Sequence, residues 1–197
     1  MNEIEVLYKA HTNIIKMLNN RGMTEALELK KENIDEFKKD YYKKRINIKL
    51  NHLGKNIFVK FILQNRVKPN QIKDIIKECK DQEVPNKGDK LILIIKPKPP
   101  LNITKIIKEY EGVNIFCINF FQFDLMEHQL VPKHVKATDE EVREVMEREH
   151  ISSRLNFPWI LKTDAVIQYL DLSAGDVCKI TRTSPTSGEH VTFRVVK

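Results

Sequence analysis

The chain has 197 residues, 41% of them hydrophobic and 31% charged, the balance of an ordinary soluble globular protein with room for one large domain or two small ones. No run approaches the roughly eighteen consecutive apolar residues of a membrane span, and the start MNEIEVLYKAHTNIIKML lacks a signal-peptide layout, so an intracellular protein without a membrane partner is expected. The net charge of +7 sits wholly in the front: residues 1–127 carry 24 Lys+Arg against 17 Asp+Glu, and residues 128–197 carry ten of each. Such a split points to a polyanion near the first part and a different neighbour for the second.

In chain order, Ile4, Leu7, Tyr8, His11, Ile14, Ile15 and Leu18 recur at helical spacing, and Gly22 is placed to end that helix. A second helix is predicted from near Thr24 through Leu27 toward Phe37. The period then changes. RINIKLN and NIFVKFIL alternate as strands, with HLGK as the hairpin between them. Pro69 opens a helix with Ile72, Ile75, Ile76 and Cys79 on one face. LILIIK, residues 91–96, is a continuous apolar run, as in a strand covered on both sides. Asn102 is the expected cap of the helix ITKIIKEY, Gly112 its expected end, and VNIFCINFFQFD the last strand of this part. Strands alternating with helices from about residue 45 to 124 predict a small α/β domain, residues 1–126, with helices packed on a mixed sheet.

HQLVPKH opens the second part, residues 127–197, predicted as a compact α+β module. In TDEEVREVMERE, Thr138 and Glu141 have the spacing of a capping box, and Val142, Val145 and Met146 form the apolar face. An extended FPWI, a short helix DAVIQYL and two strands, DVCKITRT and HVTFRVVK, follow. SPTSG is the turn between those strands, with Pro185 and Gly188 as its punctuation. The whole is therefore an α+β protein.

The usual enzyme signatures are missing. His128 and His134 lie six apart across Pro132 and cannot share a helical face, while His150 and His190 have no ligand beside them, so no metal site is expected. Cys79, Cys117 and Cys178 form no CxxC pair and are expected as buried reduced thiols. SPTSG is not GxSxG, and neither GxGxxG nor GxxxxGK[ST] occurs; no catalytic residue and no cofactor is assigned. A metal-dependent nuclease would need carboxylates on its strands, and NIFVKFIL and LILIIK carry none. What remains is KPKPP. Lys96 and Lys98 project from a loop stiffened by Pro99 and Pro100 beside a helix amino terminus, with Lys105 and Lys108 further along that helix. This arrangement suits sequence-independent contact with a DNA backbone, or simply a rigid surface loop.

From HQLVPKH through TDEEVREVMERE, FPWI, TDAVIQYLDLSAGDVCKITR and SPTSGEHVTFRVV, nearly all of residues 128–197 resembles the family of the fifth subunit shared by eukaryotic nuclear RNA polymerases, which includes a shorter archaeal form. HTNIIKMLNNRG and LILIIKPKPPLNITKII fall in register with the long eukaryotic form. The resemblance implies a non-catalytic polymerase subunit. Its carboxyl-terminal assembly module would dock on the largest subunit among other polymerase subunits, and its amino-terminal module would form part of the lower jaw near downstream double-stranded DNA. The jaw-loop proline matches Pro99 or Pro100. Tyr169, Gly175, Arg182, Gly188, Thr192 and Arg194 match the assembly motif, and Trp159, where the family usually has Arg, is expected either as an exposed aromatic anchor at the subunit interface or as an ordinary core residue. The resemblance implies the nucleus, or the cytoplasm or a virion if a large DNA virus encodes the chain. A free-standing basic DNA-binding module and a nuclease are the competing expectations.

Overall fold

The computed structural model describes residues 2–84, 86, 88–184 and 188–197. The chain divides into two compact units, Met1–Phe123 and Asp124–Lys197.

The first unit opens with α1, Glu3–Asn20, whose entrance is a capping box between Asn2 and Glu5. Gly22, at φ +90°, ends it as expected. The single second helix does not form. Thr24–Leu29 is a 3₁₀ segment, and α2 starts afresh at Ile34–Tyr42, because the Asn33 side chain accepts the Glu36 N–H at 2.9 Å and sets a new amino-terminal cap. Strands β1 (Ile48–His52) and β2 (Lys55–Ile62) make the predicted hairpin. α3 (Pro69–Gln82), β3 (Lys90–Ile95), α4 (Leu101–Lys108) and β4 (Val113–Cys117) follow, and Ile118–Phe121 is a final 3₁₀ turn.

The sheet order is β1-β2-β3-β4, with β1 antiparallel to β2 and the rest parallel, the mixed sheet expected. Its two faces bury different partners. Phe58, Leu91, Leu93 and Ile95 pack on Ile72, Ile76 and Cys79 of α3 and Ile103 and Ile107 of α4. On the other face Phe61 meets the ring of His11 from α1. β3 is fully buried from Leu91 to Ile95, which is why its sequence lacks alternation.

Two expectations around α4 are corrected. The cap is Pro100, not Asn102: at φ −70° and ψ 158° its backbone is already extended, and its carbonyl accepts the Ile103 and Thr104 N–H groups. Asn102 thus falls inside the first turn. The helix also ends at Lys108, ahead of Gly112. That glycine serves the next turn, where its φ is +75° and a Cβ would lie 2.6 Å from the Asp89 carbonyl.

The second unit is a four-stranded sheet in the order β5-β7-β8-β6, formed by Lys133–Lys136, Val177–Ser184, Gly188–Val196 and Trp159–Ile160 respectively. α5 (Asp139–Arg148) carries the predicted capping box, with Thr138 and Glu141 bonded reciprocally at 3.2 and 3.0 Å. It packs on one face, where Val142 and Val145 meet Phe157, Val177 and Val195. α6 (Ala165–Leu170) covers the other, where Ile167 meets Cys178, Ile180 and Val196. Strand β5 was not anticipated; four residues holding two lysines give too little pattern. The predicted turn at Pro185–Ser187 lies outside the described residues.

Candidate functional site

The two histidines of HQLVPKH bond locally to backbone. His134, buried in β5, has Nδ1 2.6 Å from the Pro132 carbonyl, and His128 Nδ1 accepts the Leu130 N–H at 3.2 Å. Among the described residues no group of three or more His, Cys, Asp or Glu could hold a metal ion, and no helix is long and apolar enough to cross a membrane. All three thiols are free. Cys79 and Cys178 are buried, and burial pushes the Cys178 thiol up to about 11 and raises that of Cys79. Cys117, expected to be buried, is only half so, because it closes the edge strand β4, with Sγ 3.3 Å from the Lys96 carbonyl.

The basic residues of the first unit are sorted by strand direction. Because β2 and β3 are parallel and aligned, with Ile62 beside Ile95, the chain leaves both at the same end of the sheet. The loop after β2 and the loop Lys96–Pro100 therefore emerge side by side, each leading into a helix amino terminus. Lys98 and Pro100 are exposed there and Pro99 is half-buried; Arg66 and Lys68, which sequence reasoning passed over, share this edge. Only the parallel pairing reveals them, since they lie some thirty residues from Lys98 in the chain.

Lys96 differs from the expectation. Its ammonium is 2.8 Å from a Glu3 carboxylate oxygen and 3.4 Å from Asn65 Oδ1, on the rim of a cavity of about 450 Å³ between α1 and the two loops. It is held internally. Lys105 and Lys108 are exposed but lie in the second half of α4, which runs away from the Lys98 end for roughly 12 Å. Their charges complement the negative end of the helix dipole. The predicted cluster is thus two groups, not one.

The residues assigned to the second unit also separate. Along β8, alternation puts Thr192 and Arg194 on the same face as Val196, and along β7 it puts Arg182 with Cys178 and Ile180. The register joins the two sets, since Ile180 faces Thr192 and Arg182 faces His190. Arg182 and His190 are exposed beyond the reach of α6, and neither forms an ion pair among the described residues. The Thr192 hydroxyl is buried without a hydrogen-bond partner among the described residues. Gly175 and Gly188 hold positive φ at the two ends of this hairpin region, +90° and +68°, and shape backbone rather than offer groups. Tyr169, 2% exposed, is a core residue and supports the face from beneath. Trp159 is beside Val195 and so belongs to the opposite, α5 side.

Residues 123–196 match the family model described as RNA polymerase Rpb5, C-terminal domain. The chain is 44% identical over 75 residues to DNA-directed RNA polymerase subunit Rpo5 of Thermofilum pendens, covering 38% of this chain and 92% of that one. It is similar over nearly its whole length to subunit rpabc1 of DNA-directed RNA polymerases I, II, and III of Dictyostelium discoideum, 28% identical over 210 residues and 99% of each chain. Subunit 5A of DNA-directed RNA polymerase V of Arabidopsis thaliana is 27% identical, over 96% of this chain and 87% of that one.

Proposed function

Because the chain belongs to the Rpb5 family of RNA polymerase subunits, we propose that it is a non-catalytic subunit of a multisubunit DNA-directed RNA polymerase. In this reading the carboxyl-terminal unit docks on the largest subunit, and the basic amino-terminal unit forms part of the lower jaw beside downstream duplex DNA. One observation carries it. The match at 44% identity spans 92% of an archaeal polymerase subunit and falls on the unit whose sheet aligns Arg182, Thr192 and Arg194 on a single face.

That face suits protein contact. Arg182 offers a planar fork of donors to carboxylate or carbonyl oxygens, and a partner acceptor would satisfy the orphan Thr192 hydroxyl after a side-chain rotation. The amino-terminal edge suits a phosphate backbone. Arg66, Lys68 and Lys98 are exposed next to two helix amino termini, and these charges neutralise phosphates without reading bases. Three or four such contacts give weak, salt-sensitive binding, adequate only when a larger assembly already holds the DNA. In a eukaryotic cell this role belongs to the nucleus.

The docking half is tested by co-expressing the chain with the matching largest subunit. Co-purification is expected, and Arg182→Glu combined with Arg194→Glu should abolish it while the variant remains folded by circular dichroism. Undiminished co-purification of the double variant would contradict the assigned face.

A further inference from the structure

The sheet itself separates Trp159 from Arg182, Thr192 and Arg194. Val191, Phe193 and Val195 point to the α5 side of β8, and the parallel pairing of β6 puts Trp159 beside Val195 there. α5 covers this strip only in part. It buries Val195, but Phe193 is half-buried, and Trp159, Leu161 and Val191 are 60%, 57% and 41% exposed. Large apolar side chains left together in water along a sheet margin mark a contact surface.

Cations border the strip. The Lys197 ammonium lies 4.4 Å from the centre of the Trp159 ring, and Lys162 follows Leu161, donating its N–H to the Lys197 carbonyl. Arg194 reaches round the edge and donates Nη1 to the Trp159 carbonyl at 3.2 Å. The Asp164 N–H donates to the Leu161 carbonyl at 2.9 Å. Both edge acceptors are therefore engaged, which disfavours an added strand and leaves the side-chain face as the surface to be used.

We propose that Val191, Phe193, Trp159 and Leu161 form a second protein-docking surface, distinct from the Arg182 face. Its occupant is a segment of another polymerase chain that lays an apolar side chain on the Trp159 ring and brings carboxylates to Lys162 and Lys197. The inference rests on the polymerase-subunit reading and extends it, making the carboxyl-terminal unit a wedge between two partner surfaces. A continuous apolar strip favours protein over nucleic acid, which would call for uncovered cations. A second copy of the chain fits poorly, because a two-fold contact through this patch would bring the lysines against their own counterparts.

The test uses the full chain in purified, assembled polymerase, with benzoylphenylalanine placed at position 159 or, separately, at position 182. After irradiation, mass spectrometry locates the crosslinks. The expected result is a position-159 crosslink on a polymerase segment rich in Asp and Glu, different from the segment reached from position 182. Crosslinks from both positions to one segment, to a second copy of the chain or to nucleic acid overturn the proposal, as does silence at 159 while 182 reports. If the chain does not enter a polymerase at all, the underlying reading fails and this inference falls with it. A synthetic peptide of the crosslinked segment should then bind Trp159→Ala and Leu161→Asp about tenfold or more weakly than the unaltered chain. Both residues are exposed, so melting temperatures should hold; equal binding by both variants overturns the proposal.

Discussion

The Lys96 ammonium rests 2.8 Å from the carboxylate of Glu3, so the first lysine of KPKPP is neutralised by the start of α1 while Lys98, two residues on, is exposed. The pair is part-exposed and worth at most about 1 kcal/mol. Its consequence lies in which lysine meets a phosphate first. Lys98→Ala should weaken duplex binding by the isolated chain and lower its salt dependence by about 0.9 in log–log slope, whereas Lys96→Ala should change the slope less. Glu3→Gln should raise affinity by no more than about fivefold and steepen the slope. Fluorescence anisotropy across a salt series decides it; equal effects of the two lysines would place Glu3 outside the picture.

Acid should loosen the first unit before carboxylates titrate. The His11 ring packs against Phe37 at 5.3 Å and Phe61 at 6.3 Å, and its Nδ1 has no partner among the described residues. Burial, with a smaller push from Lys31 opposed by Asp40, lowers its pKa from 6.5 to about 4. The folded chain therefore binds its proton later than the unfolded chain. This contribution is complete above pH 6.5 and is lost as pH falls toward 4, roughly 3 kcal/mol in all. Urea unfolding at pH 7 and pH 4.5 should show the loss, and His11→Leu should flatten it. An unchanged pH dependence in that variant would exonerate His11.

Gly54 and Gly112 share φ +75° but not their surroundings. A Cβ at Gly54 meets nothing within 4 Å, whereas at Gly112 it would lie 2.6 Å from the Asp89 carbonyl. Gly54→Ala should cost about 1 kcal/mol from backbone strain alone. Gly112→Ala should cost at least about 1 kcal/mol more, because backbone must move. Equal costs by denaturant titration would mean that the turn yields freely.

The Asp89 side chain ties the loop before β3 to the start of β2. It accepts the Asn56 N–H at 2.8 Å and the Asn86 N–H at 2.9 Å, and these bonds outweigh desolvation to keep its carboxyl below the usual range. Asp89→Ala leaves two donors unpaired and should cost about 1–3 kcal/mol, with Asp89→Asn recovering part of it. A neutral effect of the alanine would show that water replaces the carboxylate without loss.

Much of this architecture was legible because local signals agreed. LILIIK, Gly22, Pro69 and the Thr138–Glu141 box each state their element in a few residues, and the structure follows them. The failures have two causes, information carried by strand pairing and competition between neighbouring caps. β5 is recognisable only from its partner β7; Asn102 looked like a cap until Pro100 took the role; the helix expected from Thr24 is interrupted by Asn33. The candidate sites show the same limit. Residue types near Lys98 and Arg182 were readable, yet the opposed faces of Trp159 and Arg194 and the company of Arg66 and Lys68 at the Lys98 edge depend on register, and the Glu3–Lys96 pair depends on the packing of α1.

The most direct measurement is the composition of what the chain travels with. Affinity-tagged at its native level and isolated under gentle salt, it should elute in stoichiometric amount with the largest subunit and the remaining chains of a DNA-directed RNA polymerase, and the eluate should synthesise RNA on a DNA template. Elution as a lone polypeptide, with polymerase chains absent and none recovered after mild crosslinking, would contradict the account.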